Sequence, residues 1–366
     1  MIREKNMKKS IISAVSAATL LLTGCGSSSG KGSDYKPPEY IEPYDVVAVE
    51  TGFDMEENGG WYQELCDGLM NFTTHVEVSE KIDKRDLRSA LMQLNTDHPD
   101  VFWIGVYYYD HLGGKTNVDF DPITGMKAED IEPMHEELVK AADELIESVP
   151  DGLDEYETVL YVHDYIADNC EYDYAGLKAG ESNIMYTAYG ALVEGKAVCQ
   201  GYAEAYSYVM RRLGFDAGTV QGDTYNFAGH AWNYIKINGE YYWVDITWDD
   251  AGKGNPTSHT YFLFNDEMQS HTRYLDWDQN FGPVCDSLTD NYFVKNGLYF
   301  EKYDRDAVGE KIENCSDSMI ELRFADFDTY KEAVDDLIGS KKLGKFFSSS
   351  YSYYRDDRSY VLSVYL

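Results

Sequence analysis

Apolar residues recur along this chain with two periods, and the periods separate its helices from its strands. Between Glu132 and Val149, Met134, Leu138, Ala141, Leu145 and Val149 form one stripe of a helix that Pro150 stops. Asp154–Asn169 predicts a second helix with an acidic first turn, and Trp61–Asn71 and Lys84–Asn95 carry the same period. Phe102–Tyr109 (FWIGVYYY) is aromatic and strand-like, with His98-Pro99 before it and Gly113-Gly114 turning the chain after it. Gly195–Gly214 opens with a glycine-bearing loop. It continues as an amphipathic helix whose stripe is Cys199, Tyr202/Ala203, Tyr206, Val209/Met210 and Leu213, closed by Gly214. Gly229–Asp250 holds two strand-like runs around Asn238-Gly239, the strongest short-range signal for a two-residue hairpin. Toward the C-terminus, Gly297–Phe300 and Met319–Phe324 predict strands and Phe327–Ile338 a helix. Ser359–Leu366 predicts a last strand with Tyr360, Leu362, Val364 and Leu366 on one face. No repeat of solenoid length is visible.

The first two dozen residues follow another logic. Basic residues in Met1–Lys9 precede the uncharged run Ser10–Leu22, the pattern of an export signal and too short for a membrane span, which needs ~20 apolar residues. The run ends in Leu22-Thr23-Gly24-Cys25, which resembles the bacterial lipobox. That resemblance implies cleavage before Cys25 and a diacylglyceryl thioether on its sulfur, hence a lipid bilayer as partner and an extracytoplasmic, membrane-anchored location. The expected organisation is a signal peptide over 1–24 and a flexible tether over 25–45, beginning GSSSGKGS after Cys25. An N-terminal α+β accessory domain over 46–130, a catalytic domain over 131–286 and a C-terminal α+β accessory domain over 287–366 follow.

Composition excludes one class of partner. The chain has 31 Lys and Arg against 65 Asp and Glu, a formal charge of −34, so phosphate backbones are repelled and nucleic acid is not expected as a partner. Losing the signal removes four bases and one acid and makes the charge more negative still. Besides Cys25, the cysteines are Cys66, Cys170, Cys199, Cys285 and Cys315, an odd set that leaves at least one thiol outside any disulfide. With Cys199 set apart, the other four allow three pairings.

The candidate chemistry lies in the middle. Cys199 falls in the first turn of its helix, where the dipole and the backbone N–H groups favour a thiolate and can hold an oxyanion. Position alone also suits a small buried hydrophobe. The hairpin changes the weighing. A two-residue turn at Asn238-Gly239 pairs Ile237 with Glu240, sets Trp232 opposite Asp245 and His230 opposite Thr247, and puts His230, Trp232, Tyr234, Tyr241, Trp243 and Asp245 on one face. A carboxylate beside a histidine fixes its tautomer and raises its basicity, which is what a cysteine nucleophile requires. The other histidines show no H-x-x-x-H spacing and no CxxC is present, so neither a metal nor another cofactor is expected. The Asp249–Asn255 loop lacks the alternating ligands of an EF-hand.

Cys199, His230 and Asp245, in that order on helix, strand and strand, resemble the catalytic core of the transglutaminase-like superfamily, closest to its bacterial surface members. The runs YGALVEGKAVCQGYA, LGFDAGTVQG and GHAWNYIKINGEYYWVDITWDD carry the likeness, which covers roughly Tyr156–Asp286. Papain and caspase signatures around the cysteine are absent. The resemblance implies an α+β, papain-like core in which the cysteine helix packs on an antiparallel sheet, with small α+β domains on both sides. It implies Cys199 as nucleophile, His230 as base and Asp245 as orienter. Gln200 beside the nucleophile and Tyr186 and Tyr189 shortly before it are oxyanion candidates, and core aromatic packing explains the two tyrosines equally well. The expected activity is acyl transfer on protein or peptide amides through a thioester, with hydrolysis preferred over crosslinking because nothing marks an amine-acceptor site. A catalytically silent surface adhesin or wall-binding module is the alternative.

The lipobox gives a first testable expectation. Cys25→Ala should release the protein into the medium or stall its processing, as read by membrane fractionation and mass spectrometry of the N-terminus. Unchanged partitioning with a free Cys25 thiol would refute lipidation.

Overall fold

A computed structural model describes residues 10–13, 55–179, 183–226, 228–275, 282–347 and 350–366. Cys25, the tether and all of the expected signal except Ser10–Ser13 lie outside the described residues. The chain divides into two compact units: Val46–Asp151 with Asn169–Thr219, which also takes in Ser10–Ser13, and Gly152–Asp168 with Val220–Leu366. The division runs through the segment that the sequence assigns to catalysis.

In the first unit, helix Met55–Met70 and helix Lys84–Asp97 belong with a sheet built from His75–Val78, Ile104–Leu112 and Lys115–Pro122. Gly113 and Gly114, at φ of 64° and 88°, make the turn that sets Leu112 opposite Lys115. Ser10–Ser13 pairs antiparallel with the outer edge of Ile104–Leu112, while the other three strands pair among themselves. The aromatic strand starts two residues later than its pattern suggests, because Phe102 and Trp103 are core residues before the ladder begins. Leu65, Leu69, Leu87, Leu94, Tyr107, Val118 and Phe120 are buried with them. Asp83 caps the second helix by accepting the N–H groups of Arg85 and Asp86 at 2.8 and 3.0 Å.

Helix Ala128–Ser148 begins four residues earlier than expected and carries Pro133 inside it, at the cost of one backbone hydrogen bond. Its buried stripe is Ile131, Leu138, Ala142 and Leu145, rotated slightly from the sequence pattern. Helix Cys199–Arg212 is buried continuously from Gly201 to Met210, so it is a core helix rather than a surface amphipath. Arg211 and Arg212 in its last turn complement the dipole, and Arg212 reaches Asp143 at 2.5 Å.

The second unit contains helix Glu155–Asn169 and a five-stranded sheet. The strand order is Phe262–Phe264, Glu240–Val244, Gly229–Ile237, Ala217–Thr224, Arg273–Leu275. The hairpin register is the expected one: Ile237 pairs with Glu240 and Asn233 with Val244. Asn238 and Gly239 both take positive φ, 51° and 87°, as this turn requires. Trp232, Trp243, Val220, Phe264 and Leu275 pack in one cluster, and Ile235, Ile237, Tyr242 and Val244 are buried as well.

The C-terminal sheet is mixed, ordered Tyr299–Phe300, Met319–Phe324, Val361–Tyr365, Ser352–Asp356, with its first pair parallel. Helix Phe327–Val334 ends early in one π-helical turn, Asp335–Gly339. Tyr360, expected inside the last strand, precedes it at φ 56° and still packs into this core with Leu362 and Val364. Among the described residues no disulfide joins Cys66, Cys170, Cys199, Cys285 and Cys315, and no helix is long and apolar enough to cross a membrane.

Gly201 tests the packing of the cysteine helix. A Cβ there would lie 2.6 Å from the Met185 carbonyl oxygen and 2.7 Å from the Ala197 Cβ. In an open helix Gly→Ala stabilises by about 0.5–1 kcal/mol. Here overpacking should reverse the sign and cost roughly 1–3 kcal/mol. A lower urea midpoint for Gly201→Ala is expected, and a raised one would contradict the close approach.

Candidate active site

The His230 ring is positioned by its strand and by aromatic walls. Gly229–Ile237 carries it at its second residue, where it is buried. The indoles of Trp232 and Trp248 stack near-parallel to it, with centroids 5.9 and 5.0 Å away. Trp232 is itself held by donating Nε1–H to Gln269 Oε1 at 3.0 Å. Such packing leaves the ring few orientations.

His230 Nε2 lies 2.7 Å from Asp245 Oδ2. The expected strand does not reach this carboxylate: pairing stops at Val244, and Asp245 caps the short helix Ile246–Asp249. Its Oδ1 accepts the Trp248 N–H at 3.3 Å, leaving Oδ2 facing the imidazole. The N-cap thus replaces the cross-strand pairing with Trp232 and carries the side chain to the same partner. It also brings Trp248 against the ring. Asp245 is only 1% exposed, and the residue that accompanies this burial is one the sequence reading missed. Arg273, 2% exposed, forms an ion pair with the same Oδ2. Its guanidinium carbon lies 3.9 Å from the Trp248 ring centroid and 4.8 Å from that of Tyr261. Burial works to raise the Asp245 carboxyl, but the charges and hydrogen bonds of His230 and Arg273 outweigh it and hold the group below the usual carboxylate value. The available signal was an arginine in a short apolar strand of a base-poor chain.

Cys199 opens its helix after Val198, whose extended backbone donates its N–H to Met185 at 2.9 Å. No side chain caps this helix start, and Cys199 is half-buried. The first N–H groups of a helix have no partner within it, so the thiol sits where a helix favours negative charge.

The oxyanion candidates separate. Tyr186 is half-buried; burial and, to a lesser degree, the nearby Cys199 raise its hydroxyl. Tyr189 stacks on Phe102 at 5.2 Å and donates its hydroxyl to Glu137 at 2.5 Å, which commits that proton away from Cys199. Gln200 hydrogen-bonds toward Glu204 one turn along the helix.

Glu204 is a second acid that the sequence reading passed over. It is 3% exposed and receives Asn95 Nδ2–H on Oε1 at 2.7 Å, while Oε2 has no partner among the described residues. Burial dominates over the bonds from Asn95 and Gln200 and pushes its carboxyl up to about 8. The structure therefore brings His230, Asp245 and Arg273 together in one unit and sets Cys199, Gln200, Tyr186 and Glu204 in the other.

Residues 142–247, which include all three residues of the expected triad, match the Transglutaminase-like superfamily. That segment is thus transglutaminase-like, and the described residues mix helices with mainly antiparallel sheets, an α+β fold. Two solved structures are similar to it. A crystal structure of a TGase aligns with a TM-score of 0.30 and 15% identity, over 50% of this chain and 53% of that one. A "Putative Cysteine Protease from Cytophaga hutchinsonii" aligns with a TM-score of 0.26 and 20% identity, over 36% and 51%. This chain spans about half the length of the solved structures it matches. No curated protein matches it.

Glu204 makes stability depend on pH in a stated direction. Its folded value lies above the unfolded one of 4.5, so its neutral form is favoured, and its contribution is fully present below 4.5 and lost as pH rises through about 8. Glu204→Gln should match wild type in chemical denaturation near pH 4 and be more stable at pH 8. A difference independent of pH would show that Glu204 is ionised in the fold.

Proposed function

We propose that this protein is a lipid-anchored cell-surface enzyme that cleaves amide bonds of proteins or peptides by thiol acyl transfer. The observation that carries the reading is the buried His230–Asp245–Arg273 arrangement, encoded downstream of a cysteine at a helix start within a transglutaminase-like domain. With Nε2 turned to Asp245, His230 would use Nδ1 for proton transfer with Cys199. The thiolate attacks the amide carbonyl carbon and the π pair moves to oxygen, where helix N–H groups, Gln200 or Tyr186 would stabilise it. Collapse expels the amine with a proton from the imidazolium and leaves a thioester. Water then attacks, His230 takes its proton, and the thiolate departs from a carboxylic acid. An amine in place of water would give a new amide, and hydrolysis is preferred because no amine-acceptor site is marked. Asp245 never takes the proton; Arg273 keeps it ionised. The acidic chain favours neutral or basic substrates over anionic polymers.

Iodoacetamide labelling across pH tests this. Cys199 should be the most reactive thiol, because a helix start favours the thiolate. His230→Ala should slow its labelling, Asp245→Ala less, and the double variant should match His230→Ala because the residues act as one unit. An inert Cys199, or identical profiles in wild type and His230→Ala, would favour a binding module instead.

A further inference from the structure

A cluster of histidines and carboxylates in the second unit has no part in the acyl-transfer chemistry. His163 and Asp164 are neighbours on helix Glu155–Asn169, and His259 comes from the segment before Phe262–Phe264. Both imidazoles converge on one oxygen: His163 Nδ1 and His259 Nε2 lie 2.8 and 3.0 Å from Asp164 Oδ1. The three ligand atoms all fall within 4.8 Å of one another. Each ring turns its other nitrogen toward a buried carboxylate, His163 Nε2 to Asp249 at 3.2 Å and His259 Nδ1 to Glu321 at 3.9 Å. The rings are fixed by packing, since His259 lies flat on Tyr292 at 4.1 Å and His163 meets the edge of Phe262 at 4.9 Å. His163 is fully buried, whereas the Asp164 side chain is 39% exposed and opens the cluster to solvent.

We propose that His163, Asp164 and His259 bind one divalent transition-metal ion, zinc above all. Two imidazole nitrogens and one carboxylate oxygen form a borderline donor set that suits zinc and not calcium or magnesium, which take oxygen ligands. Ligands of a tetrahedral zinc at ~2.0–2.1 Å stand roughly 3.3 Å apart, so the two N···O separations open by a few tenths of an ångström while the two nitrogens, within 4.8 Å of each other, settle at that same spacing. Asp249 supplies what a ligating histidine requires, a hydrogen-bond acceptor on the second nitrogen of His163 at 3.2 Å, which sets the tautomer and raises basicity, while Glu321 adds negative charge near His259. Solvent at Asp164 leaves room for a water as fourth ligand. The surrounding carboxylates Asp164, Asp249 and Glu321 supply negative charge, although the buried Arg323, which donates to the Thr260 carbonyl at 3.0 Å, already offsets part of it.

The ion would clamp two segments and, through Asp249 on His163, brace a third. Asp249 belongs to the short helix that Asp245 caps, and its carboxylate also accepts the Tyr261 N–H at 3.0 Å. The Tyr261 carbonyl in turn accepts the Asp245 N–H at 2.9 Å. Metal binding therefore braces the backbone that presents Asp245, independently of whether Cys199 is a nucleophile.

Titration of the metal-stripped protein with Co²⁺ alone, followed by visible absorption and by thermal melting, tests the site. The expected result is the strong visible band of a tetrahedral ion at one equivalent, displaced by Zn²⁺, with a raised Tm. Asp164→Asn, half-exposed and nearly isosteric, should fold as judged by circular dichroism and bind at least tenfold more weakly. Asp249→Asn should weaken binding by about 10–100-fold by releasing His163. His259→Ala should abolish the band. No band, near-ultraviolet thiolate-to-cobalt absorption, or equal titrations in wild type and Asp164→Asn would overturn the assignment.

Discussion

A buried carboxylate anion is the constraint around which the second unit is arranged. Moving a carboxylate out of water costs several kcal/mol even after relaxation, and only well-placed partners offset it. Asp245 has three: the His230 imidazole at 2.7 Å, the Arg273 guanidinium, and the Trp248 N–H at 3.3 Å. Each partner is fixed by a different element, so the anion ties the first strand of the hairpin, the short helix after its second strand, and the edge strand Arg273–Leu275. Loss of either charged partner would leave an undercompensated charge, a change of roughly 3–5 kcal/mol for a pair with no third member.

The aromatic residues follow from the same constraint. An arginine that gives one arm to a carboxylate in the core still needs its flat faces covered, and a guanidinium, weakly hydrated and planar, accepts indole and phenol faces. Trp248 serves twice, stacking on His230 at 5.0 Å and lying under Arg273 at 3.9 Å. The tryptophans that the alternating pattern placed on the His230 face are therefore the wall of an electrostatic site as well as core. This explains why both faces of a strand that alternates so regularly are buried.

What could be read in the sequence was local. Asn238-Gly239 dictates the hairpin register because both positions need positive φ, and register alone sets which side chains share a face. Cys199 at a helix start was legible from the stripe that follows it. Asp245 leaves the strand to cap a helix, its Oδ1 accepting the Trp248 N–H three residues on, a local competition that the alternating pattern did not show. Two further features were hidden because they depend on residues distant in the chain. Arg273 comes 28 residues after the acid it neutralises. His163 and His259 meet across a fold, with Asp164 and His259 separated by 95 positions, so no ligand spacing exists to find.

Two buried acids in this chain end in opposite states, and the contrast shows what distinguishes a site from a core. Glu204 and Asp245 are both nearly inaccessible, at 3% and 1% exposure. Desolvation is the largest influence on each and favours the neutral acid in both. Glu204 is offered only amide donors, from Asn95 and Gln200, so desolvation prevails and its carboxyl rises to about 8. Asp245 is offered an imidazole and a guanidinium, so it remains an anion. An amide hydrogen bond stabilises a carboxylate by less than a full opposite charge does at the same distance in a low dielectric. The composition gave no hint of this, because a chain with 65 acids has many carboxylates and few bases to spend on them. Placing one of its 31 basic residues in the core beside Asp245 is therefore the feature that separates this carboxylate from Glu204, and it keeps the anion beside His230 at neutral pH.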